Sequence, residues 1–244
     1  MNIELPISKS IANRLLILQA IHGDGLMTVS CDMPDDVRIM SEAIRLLGER
    51  REARIDLGNC GTAMRFLTAY CAQLEGQTTI LDGVERMHHR PIGQLVDALR
   101  EIGADIEYLG EEGFPPLRIK GKALDKSKPI TLNQPQSTQF VSALLLIGAN
   151  VQTDSTSPYI TLTRVLIEQY ALASSPYRLS PIALEKDWSS AAFWYEYVAL
   201  YGGEITLPGL SRDSLQGDKV VADIFTHLGV HTTYTAEGIT LSPH

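Results

Sequence analysis

Cysteine is scarce: Cys31, Cys60 and Cys71 are the only three in 244 residues. An odd number with no CxxC pair argues against a disulfide framework and against a zinc site. Long apolar runs are missing as well. No stretch is apolar enough to span a bilayer and no charged-then-apolar leader opens the chain, so a cytoplasmic location is expected. Positive charge is in deficit, with 21 Lys and Arg against 29 Asp and Glu and a net charge of −8. That balance disfavours nucleic acid as a partner. It leaves small anionic ligands open, because local cations decide their binding. Tryptophan occurs twice, and Trp188 and Trp194 read as core or hinge packing.

What is present is an ordinary globular composition, 44% hydrophobic and 20% charged, in a chain long enough for one or two domains. The most informative stretch is Leu57-Gly58-Asn59-Cys60-Gly61-Thr62-Ala63-Met64-Arg65. Glycines stand at the mouth of a predicted helix, with Thr62 as its expected cap. Such a turn lets backbone approach a ligand, and the first helical amides have no internal partners. A phosphate or carboxylate fits there, and Arg65 in the first turn can add a charge-assisted contact. Cys60 reads as small-residue packing rather than a nucleophile.

Similar starts recur along the chain. Ile3 to Pro6 reads as a strand, followed by a helix from about Ile11 to Ile21 with Ser8 or Ser10 as cap. Leu26 to Ser30 reads as a strand. Pro34-Asp35-Asp36 opens a helix whose apolar face is Val37, Met40, Ala43, Ile44 and Leu47, ended by Gly48. Arg50 to Arg54 reads as a solvated charged stretch. Strands are expected at Thr78–Leu81, Ala104–Leu109, Leu117–Lys120, Ile130–Leu132 and Glu204–Leu207. Helices are expected after Pro91, after Ser137, from Tyr159, from Ser189-Ser190 and over Gly217–Leu228. A recurring unit of this kind suggests stacked copies sharing a core. Copies related by symmetry can point several helix N-termini at one cleft, each worth about 0.3–1 kcal/mol to an anion.

With these residues laid out, the chain resembles the EPSP synthases, the 3-phosphoshikimate 1-carboxyvinyltransferases of the enolpyruvyl transferase family. The matching stretches are Leu5 to Arg14, Asp35 to Arg38, Leu57 to Arg65, Arg90-Pro91-Ile92-Gly93 with Leu95 to Leu99, Pro115 to Arg118, Ser137 to Phe140, Pro158-Tyr159-Ile160 and Ser211 to Asp218. The resemblance implies an inside-out α/β (α+β) fold of repeated βαβαββ units. One near-complete domain over residues 1–182 would bind shikimate 3-phosphate, and residues 183–244 would form part of a second. It implies transfer of the enolpyruvyl group of phosphoenolpyruvate to the 5-hydroxyl of shikimate 3-phosphate, with release of phosphate and without metal or organic cofactor. The protein is expected to act on these two anionic small molecules, as a monomer when intact.

By the same resemblance, Lys9 is catalytic and contacts both substrates. Ser10, Arg14, Ser137, Thr138, Gln139, Thr156 and Tyr159 bind shikimate 3-phosphate, Thr156 standing where the family usually has serine. Asn59, Gly61, Thr62, Arg90 and Gln139 surround phosphoenolpyruvate. Several features depart from the family. The acidic residue that transfers protons and further Arg and Lys residues come later in the family than His244. The connections Gly48–Asn59, Val151–Ser157 and Ala173–Glu185 are short. Phe66 stands where proline is usual, which leaves inhibitor sensitivity open. Three other readings are a UDP-N-acetylglucosamine enolpyruvyl transferase, a non-catalytic anion-binding fragment, and a P-loop protein. The first favours Lys-Asn where this chain has Lys9-Ser10, and the last needs glycines that Ser8-Lys9-Ser10 lacks.

Overall fold

The computed structural model describes residues 1–173 and 184–244. The expected boundary at 182/183 lies outside them. The first elements are α1 (Lys9–His22), α2 (Asp35–Glu49), β1 (Glu52–Asp56), α3 (Gly61–Ala72) and β2 (Thr78–Asp82). A 3-10 turn (Glu85–His89) leads to α4 (Gly93–Glu101), β3 (Asp105–Tyr108) and β4 (Leu117–Lys120). Then come β5 (Ile130–Thr131), α5 (Thr138–Leu146), β6 (Val151–Gln152) and α6 (Pro158–Ala173). Beyond the undescribed stretch lie α7 (Trp188–Tyr201), β7 (Ile205–Pro208), a 3-10 turn (Gly217–Val220), α8 (Val221–Thr226), β8 (Val230–Tyr234) and β9 (Gly238–Pro243).

The run β1-α3-β2-α4-β3-β4 is a βαβαββ unit. Its sheet has the order β1-β2-β4-β3, with β1 parallel to β2 and β4 antiparallel to both neighbours. The order β7-β9-β8 repeats β2-β4-β3. Beside β7, where β1 stands beside β2, Asn2 forms a parallel bridge to Thr206.

Helices α1, α3 and α5 pack on one another inside, and the sheets lie outside. Helix α3 shows why. Every residue is buried except Thr62 and Arg65, so it has no solvent face. In α5 the first two residues, Thr138 and Gln139, are the polar ones left open. Polar atoms of these inner helices are thus concentrated at their N-terminal turns. The outer helix α2 has the one-sided pattern read from its sequence, burying Val37, Met40, Ala43, Ile44 and Leu47. Gly23, at φ 71°, ends α1 by donating to Gln19 O, a left-handed position that suits glycine.

Two clusters of buried side chains form. One runs from Ile11 to Tyr170, and the other gathers Trp188, Tyr195, Leu207 and Leu241. Leu5 packs in the second, and Ile3 N–H donates to Thr206 O at 2.9 Å. The bridge Ile7–Lys186 joins the two regions just before α1 and α7. No helix among the described residues is long and apolar enough to cross a membrane.

Several expectations change. Ile3–Pro6 and Leu26–Ser30 are not strands. Isolated bridges at Asn2 and Ile7 flank the first, and Met27 N–H in the second donates to the side-chain Gln19 Oε1, with no paired strand among the described residues. Arg50–Arg54 enters β1, an edge strand whose charged side chains face solvent and discourage further pairing. Helix α2 continues through Gly48 to Glu49, and α7 starts one residue early, at Trp188. The stretch Gly217–Leu228 is a 3-10 turn followed by a single short helix. Helix α3 is capped by Cys60 Sγ, which accepts from Ala63 N–H at 3.4 Å, and not by Thr62. Helix α3 begins a residue before Thr62, so Thr62 lies within its first turn.

Candidate active site

The N-terminal turns of α1, α3, α5 and α7 meet at one cleft of about 460 Å³. It is lined by Lys9, Ser10, Asn13 and Arg14 from α1, and by Thr62 and Arg65 from α3. Ser137, Thr138 and Gln139 come from the start of α5, Ser189 from α7, and Asp36, Arg90 and Tyr159 complete it. Each helix turns unpartnered amides toward this end, which favours an anion.

The local sequence sets each turn. Ser8 Oγ accepts from Ile11 N–H, so α1 starts at Lys9. Ser137 Oγ accepts from Gln139 N–H at 3.3 Å and starts α5. Pro91 follows Arg90, whose Nη1 donates to Asn59 O at 3.3 Å, so two loops are tied across the cleft rim. Gln139 links two helices: its Nε2 donates to Thr62 Oγ1 at 3.0 Å and its Oε1 accepts from Arg65 Nη1 at 3.1 Å.

Charge is the main property of the cleft. Lys9, Arg14, Arg65 and Arg90 all line it, and none belongs to an ion pair among the described residues. Burial lowers the Arg65 pKa, and the neighbouring Arg90 lowers it further. Arg14 is 2% exposed, and burial brings it down to about 10, so it is still a cation at neutral pH. Burial raises the Tyr159 hydroxyl, with the Asp218 carboxylate adding to it, so the phenol is a proton donor at neutral pH. The Cys60 thiol is pushed up to about 12, chiefly by burial. A thiol in that state is not a nucleophile at neutral pH.

Of the residues named from sequence, Lys9, Ser10, Arg14, Thr62, Arg90, Ser137, Thr138, Gln139 and Tyr159 line the cleft together. Gly61 lies directly against it, under the two guanidinium groups. Asn59 contributes its carbonyl to Arg90, while its side chain is exposed outside the lining. Thr156 is exposed and does not line the cleft. The next residue, Ser157, is half-buried at the head of α6, where its Oγ accepts from Tyr159 N–H at 3.3 Å. Asn13, Asp36 and Ser189 were not expected. Asn13 lies one helical turn after Lys9, a spacing that places it on the same face.

Gly61 is where the geometry is tightest. A Cβ there would overlap both Arg90 Nη1 and Arg65 Nη1, while the backbone is not in the left-handed region. Gly61→Ala should therefore leave the fold intact and displace the two arginines. We expect phosphate affinity to fall about tenfold, the worth of one charge-assisted contact. Calorimetric titration with inorganic phosphate measures it; an unchanged affinity would remove Gly61 from the anion site.

Comparison with known proteins shows the family. The sequence profile of EPSP synthase (3-phosphoshikimate 1-carboxyvinyltransferase) matches residues 49–170. The 3-phosphoshikimate 1-carboxyvinyltransferase of Bacteroides fragilis (strain YCH46) is 44% identical over 262 residues, covering 98% of this chain and 62% of that protein. The enzyme of the same name from Cupriavidus necator is 35% identical over 94% of this chain and 63% of its own length. The chain thus spans less than two thirds of these relatives. EPSP synthase from Acinetobacter baumannii has the same fold, with a TM-score of 0.68 at 21% identity over 99% of this chain and 64% of that one. With the profile spanning half its length, this chain belongs to the EPSP synthase family.

Proposed function

We propose that the full-length protein transfers the enolpyruvyl group of phosphoenolpyruvate to the 5-hydroxyl of shikimate 3-phosphate and releases phosphate. The observation that carries this reading is the set of four cations, without carboxylate partners among the described residues, at the meeting point of four helix N-termini. Two phosphates and two carboxylates must be held close together in this reaction, and an unpaired cationic cleft offsets their mutual repulsion. In the addition the hydroxyl oxygen bonds to the phosphate-bearing carbon and gives up its proton while the methylene carbon takes one; in the elimination phosphate leaves and the resulting methyl group loses a proton, restoring the double bond. Lys9, the exposed ammonium at the head of α1, is suited to contact both substrates.

The other roles follow the family. Ser10, Arg14, Ser137, Thr138, Gln139 and Tyr159 take shikimate 3-phosphate. Gly61, Thr62, Arg90, Gln139 and the Asn59 backbone surround phosphoenolpyruvate, with Arg65 as an added cation. The domain division at 182/183, a monomeric state and a cytoplasmic location belong to the same proposal. The two separate core clusters support the division, with Ile3 and Leu5 contributing to the second.

Shikimate 3-phosphate should bind this chain, because its proposed ligands are gathered here. Calorimetry against shikimate is the test, and we expect the phosphorylated ligand to bind at least about tenfold more tightly. Equal binding of the two, or none, would count against the assignment. A second reading is a non-catalytic anion-binding protein, since the cleft binds anions whether or not turnover follows. Turnover separates the two.

A further inference from the structure

Arg14 spends nearly all its hydrogen-bonding capacity on the protein. Its Nε–H donates to Thr163 Oγ1 at 2.7 Å. Nη2 donates to Ser142 Oγ at 3.2 Å and to Tyr159 O at 3.3 Å, and Nη1 donates to Ser10 O at 2.8 Å. A guanidinium has five N–H groups, so one is left, on Nη1. The group also lies over the rings of Phe66 at 5.3 Å and Tyr159 at 6.0 Å. Four helices hold it: α1 carries it, while α3, α5 and α6 supply the contacts. Arg14 lines the cleft, as does Ser10, whose carbonyl accepts from Nη1.

Thr163 is the fixed point of this arrangement. It is fully buried, and its hydroxyl donates to Tyr159 O, one turn earlier, at 2.7 Å. That back-bond selects one rotamer of a β-branched side chain. The oxygen accepts from Arg14 Nε–H at 2.7 Å and is hydrogen-bonded to Ser142 Oγ, 2.9 Å away. Neither Thr163 nor Ser142 lines the cleft.

We propose that Thr163 is a positioning residue, whose buried hydroxyl holds the Arg14 guanidinium so that one Nη1 N–H meets an anionic oxygen of shikimate 3-phosphate. This rests on the functional reading above for the identity of the ligand, but not for the hold on Arg14. A ligand that met a freely rotating guanidinium would have to order it on binding, and the preset group removes that cost.

The test compares Thr163→Val, which keeps shape and loses the hydroxyl, with Thr163→Ser, which keeps the hydroxyl. Two quantities are measured on each: the affinity for shikimate 3-phosphate by calorimetry, and hydrogen exchange of the Arg14 Nε–H by nitrogen-15 NMR without ligand. Thr163→Val should lose the slow exchange and bind about tenfold more weakly, the worth of one hydrogen bond to a charged group. Thr163→Ser should restore both. Slow exchange retained in Thr163→Val would overturn the proposal. So would an unchanged affinity after the exchange protection is lost, or equal losses in both variants. If the parent fails to prefer shikimate 3-phosphate over shikimate, the functional reading falls, while the exchange measurement still decides whether Thr163 holds Arg14.

Discussion

Replacing Lys9 with methionine is expected to lower turnover of the full-length enzyme by about a hundredfold or more. Lys9 opens α1 and shares the cleft with Arg14, Arg65 and Arg90. A charge-assisted hydrogen bond is worth about 1.5–3 kcal/mol, so its loss alone costs roughly ten- to hundredfold. If the ammonium also moves a proton, a further factor of about 100 to 10,000 is lost. Methionine preserves the length of the side chain and removes both functions. Phosphate release followed at saturating substrates measures the effect. Activity equal to the parent would show that the site is misassigned. A rise in the Michaelis constants with unchanged turnover would make Lys9 a binding group only.

Arg14→Met should act on stability first. The family resemblance implies a loss confined to shikimate 3-phosphate binding, but the structure buries this side chain and gives it four internal acceptors. Removing the donor breaks four hydrogen bonds to a charged group, while Thr163 keeps its bonds to Tyr159 O and Ser142 Oγ. Hydrogen bonds to charged groups are worth about 1.5–3 kcal/mol each, though such contributions do not add fully. We expect a loss of about 3 kcal/mol or more, lowering the melting temperature by roughly 6–12 °C for a chain of this size. Thermal unfolding followed by circular dichroism checks it. A melting temperature within about 2 °C of the parent would mean that the network adds little to stability.

These two residues are five apart on one helix, yet removal of one is expected to affect turnover and the other folding. Lys9 stands in the first turn, where the inner helices open to the cleft. Arg14 lies where α1 is already enclosed by α3, α5 and α6. Sequence spacing does not separate the two, because both are cations within one motif. Their difference lies in partners up to 149 residues away in the chain.

By itself the sequence determined the starts of the inner helices, the apolar face of α2 and the cluster of glycine and polar residues that meet at the cleft. Those features are local: a cap lies within three residues of what it caps, and helical periodicity within two turns. The order of the matching motifs also determined the family. Only the tertiary structure decided that Arg51 to Arg54 leads into and forms an edge strand, because pairing depends on Thr78 and its neighbours. It decided that Ile3 and Leu5 pack in the second core cluster while Ile7, two residues on, packs against the first. It moved Thr156 out of the cleft and set Ser157 at the head of α6, a result of loop length that no single residue type reveals. And it committed Arg14 to Thr163 and Ser142, because a buried guanidinium must find acceptors wherever the packing of four helices brings them.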